Sequence, residues 1–494
     1  MSHLINVHNK KILFMGYGGV AKCVLHYFPM YFNFDYKNIF IIDKCETTIY
    51  GPNLTKIQKK NIVVMDINSN NFDNLVKSIG LGVGDIIIDM TFMSNSYYFI
   101  QCCLLEGFNY INTSIEDNND SFIGTSIDLQ QKIVKQIYQN CKLKTKIRSN
   151  ILTEFGQNPG LIQHYVLYSL NEMQKKYNNT NKDDFRKETL QKVINDYKIG
   201  TIFCSEIDNI VKHKDTPMKQ DTIYNTWSVG GMLSEGLDKT ELVCGMGNKF
   251  IKPSIPKKII DTNKMKILPK YKNQGYEVIF LKKTGIQSTL NSICPIIDKN
   301  GKIKFVNFRG SMIHHGETFE LGQYFGKNSP FITYVYKLNK YADKSIRQYF
   351  KKNKLSDDHD LKMQVLNDCS SFSVLNNINK KSNDSLVGHD SIGCTIFCGK
   401  DKIDNIFWCG SILSHDDKNV DSNFTPTIVQ VAAGLLSGLS YILEEKNKAH
   451  GLYEPCDLDT KYILNKSIPL LGKFFFTEIP REKFVSKIEY KVIE

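Results

Sequence analysis

No apolar run in this chain approaches the ~20 residues that a helix needs to cross a bilayer, so no membrane partner is expected. The opening MSHLINVHNKK lacks the apolar stretch of a secretory signal, and the expectation is a cytoplasmic protein. A metal-ligand pattern is missing too. The nearest approach is Cys394-x-x-x-Cys398, with no His or Cys pair at finger spacing to complete it, and no metal is expected. The 13 cysteines are odd in number and scattered, as in Cys102-Cys103 and Cys204. That excludes a disulfide framework and predicts buried thiols. Basic stripes with interleaved aromatics are absent as well. The net charge of +12 is spread over dispersed lysines that travel with Asn, Ile and Tyr. A solvated surface explains this better than a nucleic-acid face. No internal repeat and no heptad array is visible.

At 494 residues the chain can bury a core for two or three domains. Its organising stretch is Lys11 to Asp43. KILFMG reads as a buried parallel strand. Gly16, Gly18 and Ala21 follow at the G-x-G-x-x-A spacing, with Gly19 between them and Val20 opening a helix that runs to Phe28. Gly16 permits the tight turn, and Gly18 has no side chain to hold a pyrophosphate away. Ala21 lets the helix pack closely, and the helix N-terminus offers N–H groups to the anion. NIFII is the next strand and ends in Asp43, placed to accept hydrogen bonds from an adenosine ribose. A carboxylate there repels a 2′-phosphate, so NAD is favoured over NADP, a preference that the neighbouring Lys44 tempers.

The alternation continues. Asn61–Met65, Asp85–Met90, Asn109–Thr113 and Lys146–Thr153 read as strands, with helices around Phe72–Ile79, Tyr97–Glu106 and Ser126–Cys141. The fold class is therefore α/β, a Rossmann-type doubly wound parallel sheet. Ligands in such sheets bind beyond the carboxyl ends of the strands. Asp89, Thr91, Thr113 to Glu116 and Gly156 to Gly160 fall there. Beyond the helix that follows Asn158-Pro159-Gly160, β-patterned runs from Lys198 to Tyr341 predict a second α+β domain with a largely antiparallel sheet. Lys351–Ser385 is polar and reads as an insertion, and Pro426–Leu443 as a strongly apolar helix. The expected domains are 1–156, 157–415 and 416–494.

Several segments together resemble the bacterial-type homospermidine synthases, relatives of saccharopine dehydrogenase. They are MGYGGVAKCVL at Met15, INTSIED at Ile111, QNPGLIQHYV at Gln157, NTWSV through SEGL from Asn225 to Leu237, SMIHHGETFELGQYF at Ser311 and FWCGSILS at Phe407. The resemblance implies NAD-dependent condensation of two putrescines to homospermidine. Ammonia is released, imines are the intermediates, and NAD is not consumed. It also implies a homodimer and a C-terminal helical region that returns towards the cofactor domain.

Putrescine is a dication near neutral pH, and a protein of net charge +12 repels it at long range. The pocket must then be locally acidic, with charge-assisted hydrogen bonds to orient the amine. Within the resembling segments the candidates are Glu116, Glu206, Glu235 and Glu317, each of which alone would more often be a surface charge or a structural ion pair. Trp227 is one of two tryptophans. Its indole face could stabilise an iminium without attacking it, and its alternative role is to anchor a β-rich core. His315, beside His314, either accepts the proton that an attacking amine loses or orients the site. Asn158 either offers its amide to the substrate or nicotinamide, or caps the helix after Pro159. The resemblance makes Trp227, His315, Glu206 and Glu235 catalytic, and Glu116, Asn158 and Glu317 substrate-binding. Met93 departs from the pattern, standing where an acidic residue is expected, so spermidine or a longer diamine stays open as substrate. The rival is a saccharopine dehydrogenase-like or carboxyspermidine-type reductase that joins an amine to a carbonyl compound with NAD(P)H. It would need arginines for a substrate carboxylate, and Arg309 is the main one available.

Overall fold

The computed structural model describes residues 4–45, 54–92, 94–116, 127–212, 222–249, 275–353, 372–374, 386–399, 405–444, 449–480 and 490–492. The chain forms two compact units, Met1–Leu161 with Ile428–Ile468, and Ile162–Thr427 with Pro469–Glu494.

The first unit carries six parallel strands in the expected places: β1 (Ile12–Met15), β2 (Ile39–Asp43), β3 (Ile62–Val64), β4 (Ile86–Asp89), β5 (Asn109–Asn112) and β6 (Asn150–Leu152). The apolar runs ILFM and IIID are buried along their whole length, as strands covered on both faces must be. The sheet order is β3-β2-β1-β4-β5-β6, the doubly wound order whose direction reverses beside β1. A seventh parallel strand, Gly451–Tyr453, pairs with β6. Helix α1 (Gly19–Tyr27) follows β1. Helix α2 (Phe72–Ile79) buries Phe72, Leu75 and Val76, the i, i+3, i+4 stripe of an amphipathic helix, and stops at Gly80 in the left-handed conformation. Helix α3 (Ser96–Glu106) is opened by Asn95, whose side chain accepts from the Tyr98 N–H at 3.0 Å.

The second unit is built on a ten-stranded sheet. Its strands are β7 (Thr201–Asp208), β8 (Lys239–Gly245), β9 (Tyr276–Thr284), β10 (Ser288–Ile297), β11 (Ile303–Ser311), β12 (Phe331–Lys337), β13 (His389–Phe397), β14 (Asn405–Ser414), β15 (Lys473–Pro480) and β16 (Tyr490–Val492). The pairing is antiparallel except between β7 and β12. Short helices α4 (Val229–Leu237) and α5 (Gly316–Phe325) sit between strands and carry residues of the site.

The C-terminal stretch is not one helical region. Hydrogen bonding divides it, with Gly451–Tyr453 joining the parallel sheet and Lys473–Pro480 pairing with β14 in the other unit. Helix Pro426–Leu443 is long and apolar enough to cross a membrane by composition alone, and 83% of it is buried inside the fold. The cysteines among the described residues are free thiols, most of them buried. No cluster of metal-ligating side chains occurs among the described residues. Met93 and most of the Lys351–Ser385 insertion lie outside them.

Candidate active site

In the first unit the glycine turn is held by backbone contacts. Gly16 has φ +78°, and a Cβ there would stand 2.6 Å from the Met90 carbonyl oxygen, so only glycine fits. At Gly18 a Cβ would meet no atom within 4 Å. Protein packing therefore does not explain a missing side chain at this position, whereas close approach of a pyrophosphate does. The N-terminus of α1 has no side-chain cap and no acidic residue in its first turn, and Ala21 is fully buried. Asp43, at the end of β2, accepts the Tyr17 N–H (2.6 Å) and the Cys45 N–H (2.8 Å), tying the turn to the strand end. Each carboxylate oxygen keeps acceptor capacity for a ribose hydroxyl. These residues fit a dinucleotide.

At the neighbouring strand ends, Asp89 turns inward. It is buried, accepts from Tyr110 Oη at 2.6 Å and from the Thr91 N–H at 3.0 Å, and burial raises its pKa. Thr91 Oγ1 donates to Asp89 at 2.5 Å. Thr113 is half-buried. Glu116 accepts from Ser114 Oγ at 2.8 Å and its N–H reaches Ser96 Oγ at 2.9 Å. Asn158, half-buried, precedes Pro159.

The second unit gathers the other candidates. Alternation along β7 puts Glu206 and Asp208 on one face of the sheet, and both are buried. From β12, Tyr336 is the register partner of Glu206. Tyr334, two residues earlier, donates its hydroxyl to Glu206 Oε2 at 2.6 Å. From β13, Asp390 lies directly opposite Asp208. Asp208 accepts from Thr226 Oγ1 (2.6 Å), Asn339 Nδ2 (3.0 Å) and the Ile210 N–H (2.9 Å). Neither Asp390 oxygen makes a well-formed hydrogen bond, and its polar neighbours are the Thr427 hydroxyl and the Ser391 N–H. Neither Asp208 nor Asp390 is paired with a lysine or arginine among the described residues.

Burial pushes the Glu206 carboxyl up to about 8 against the pull of the Tyr334 hydrogen bond, and the charge of Asp208 adds to the rise. Burial likewise pushes Asp208 up to about 6, opposed by its three hydrogen bonds. Asp390 is raised by burial and by the charges of Glu206 and Asp208. The three form a desolvated acidic cluster whose charged state calls for a cation.

Beside it, His315 is held between two carboxylates. Its Nδ1 lies 2.6 Å from Oε2 of the fully buried Glu317, and its Nε2 lies 3.3 Å from Oε2 of Glu235 on α4. Burial alone would lower the His315 pKa, but the charges of Glu317 and Glu235 outweigh it and hold the ring well above its ordinary value. Both ring nitrogens face a carboxylate, an arrangement that favours the imidazolium. Trp227 lies between the strand Ile223–Asn225 and α4, partly buried, and its Nε1–H donates to Tyr336 Oη at 3.3 Å.

The structure thus brings Glu206, Trp227, Glu235, His315 and Glu317 together in the second unit. Gly16, Gly18, Gly19, Val20, Ala21, Asp43, Thr91, Thr113, Glu116 and Asn158 lie in the first. Sequence reasoning missed Asp208, Tyr334, Tyr336 and Asp390. Asp208 was within reach, two residues after Glu206 on an alternating strand, whereas Asp390 carries no local signal. Arg309 is exposed, with its Nε on the Thr289 hydroxyl at 2.9 Å. It offers no carboxylate clamp in this cluster.

Residues 12–157 match the family model described as the saccharopine dehydrogenase NADP binding domain. The homospermidine synthase of Mesorhizobium japonicum is 23% identical, covering 94% of this chain and 90% of the relative. The homospermidine synthase of Blastochloris viridis is 21% identical, covering 93% and 89%. The crystal structure of the Legionella pneumophila homospermidine synthase in complex with NAD superposes with a TM-score of 0.75 at 20% identity, covering 97% of this chain and 93% of that one. The chain is similar to homospermidine synthases over more than nine-tenths of its length, and its first unit carries a match to the saccharopine dehydrogenase dinucleotide-binding domain.

Proposed function

We propose that this protein is an NAD-dependent homospermidine synthase, condensing two putrescines with release of ammonia. The observation that carries the reading is the buried cluster of Glu206, Asp208 and Asp390, with a partly buried indole hydrogen-bonded to a tyrosine beside it. Such a site suits a flexible cation and repels the carboxylate that a saccharopine-type substrate would bring. NAD, held at Gly18 and the N-terminus of α1 with Asp43 favouring a free ribose, supplies the hydride acceptor and donor.

The chain's own residues then bind, orient and move protons. The acidic cluster takes an ammonium of the first putrescine by charge-assisted hydrogen bonds. Of the three carboxyls, Glu206, pushed up to about 8, is suited to exchanging a proton with an amine near neutral pH. The indole face of Trp227 stabilises the cationic carbon–nitrogen centre of the oxidised amine, and being no nucleophile it forms no adduct. His315, held between Glu235 and Glu317 with its pKa raised by their charges, serves as a positive element that orients both carboxylates. Glu116 and Asn158, at strand ends of the first unit, are polar groups of a kind suited to an amine. Desolvation of the site keeps water from hydrolysing the imine to an aldehyde. The reading carries a homodimer and a cytoplasmic location with it.

Incubation with putrescine and NAD, followed by mass analysis, tests the proposal. Homospermidine and ammonia in equal amounts support it. A product formed only when a carbonyl compound and NAD(P)H are added would replace it with the reductase reading.

A further inference from the structure

Trp227 sits in a short link between the strand Ile223–Asn225 and α4 and is partly buried, so one side of its ring is open. Two contacts hold it. At one end the indole N–H donates to Tyr336 Oη at 3.3 Å. At the other, the six-membered ring passes Gly231 so closely that a Cβ there would stand 3.0 Å from Trp227 Cζ3. Tyr336 is itself immobilised. It is buried in β12 and stacks on Tyr334 with ring centroids 5.8 Å apart and planes 14° apart, and Tyr334 is bonded to Glu206. A continuous path of contacts therefore runs from the Glu206 carboxylate through two stacked phenols to the indole nitrogen.

We propose that Tyr336 and Gly231 are positioning residues that set the plane of the Trp227 indole relative to the acidic cluster. The inference rests on the amine-condensing role proposed above and deepens it. The attraction of an aromatic ring for a cation belongs to its face, because the ring edge carries the opposite partial charge. An indole free to rotate would present edge and face by turns, so the N–H anchor and the side-chain-free surface at Gly231 keep the face turned to the substrate. Because neither residue needs to touch the substrate, its loss should lower kcat more than it raises KM.

The test labels the holoenzyme with 5-fluorotryptophan, which gives fluorine resonances for Trp227 and the buried Trp408 alone, with Trp227→Phe assigning them. In Tyr336→Phe the Trp227 resonance shifts or broadens while that of Trp408 stays in place. Turnover of putrescine falls about tenfold with KM changed less than about threefold. Gly231→Ala moves the same resonance from the other side. A Trp227 resonance unmoved in both variants, or a Trp408 resonance moving equally as in general loosening, overturns the proposal. Failure of the unaltered enzyme to make homospermidine would refute the activity instead, and the resonance would still decide how the indole is held.

Discussion

Asp208 and Asp390 face each other across adjoining antiparallel strands, at 2% and 1% exposure, and Asp390 makes no well-formed hydrogen bond. Like charges directly opposite on a sheet are destabilising, and with Glu206 beside them they make a site that is stable either protonated or loaded with a cation.

The first prediction concerns pH. In the unfolded chain these carboxyls titrate near ~4, whereas in the fold Asp208 is pushed up to about 6 and Glu206 up to about 8. Between those values the folded state holds the additional protons, so stability is greatest at the acid end of this window and falls as pH rises through it. A bound diamine reverses the trend, because it binds the ionised cluster. The thermal shift produced by putrescine should therefore be larger at pH 8 than at pH 6, and Glu206→Gln should flatten the difference. Differential scanning fluorimetry across that range reads both effects.

Asp390→Asn keeps the shape and removes one of the facing charges. Above pH 7 the variant should melt no lower than the parent, gaining on the order of 1 kcal/mol from relieved repulsion. Its KM for putrescine should rise about tenfold. A lower melting temperature together with an unchanged KM would contradict the assignment of Asp390 to the amine site.

Trp227→Leu should abolish turnover and leave NAD binding intact, since the dinucleotide turn lies in the other unit. Trp227→Phe should retain part of the rate, as a phenyl face keeps some of the ~0.5–2 kcal/mol that a cation gains over an aromatic ring. Calorimetric titration with NAD separates the two effects.

The glycine turn divides into one residue needed by the fold and one needed by the ligand. Gly16→Ala forces a side chain onto φ +78° and against Met90, and should cost about 1–3 kcal/mol of stability. An added Cβ at Gly18 meets no protein atom within 4 Å, so Gly18→Ala should melt like the parent, yet lose NAD affinity. Equal losses of stability in both variants would contradict this division.

The parallel sheet could be read in the sequence because its signals are local. Apolar strand runs, the glycine spacing before α1 and a terminal Asp43 all fall within a few dozen residues. Glu206, Trp227, Glu235, His315 and Glu317 could be named from residue chemistry inside resembling segments, but their assembly could not, because β7, β12 and α5 meet through sheet pairing. Asp390 was invisible for the same reason. Only the register of β13 on β7 sets it against Asp208, 182 positions earlier in the chain. The strand Gly451–Tyr453 is too short for any periodicity, so its joining the first sheet could not be foreseen.

The most direct test of the account follows the hydrogen that moves. Putrescine fully deuterated at its terminal carbons is supplied with NAD in large deficit, and homospermidine is quantified and weighed by mass spectrometry. If the abstracted hydride is returned in the same turnover, product far exceeds the NAD present and retains every deuterium. Product limited to the NAD supplied, or deuterium lost from the condensed carbon, would contradict it.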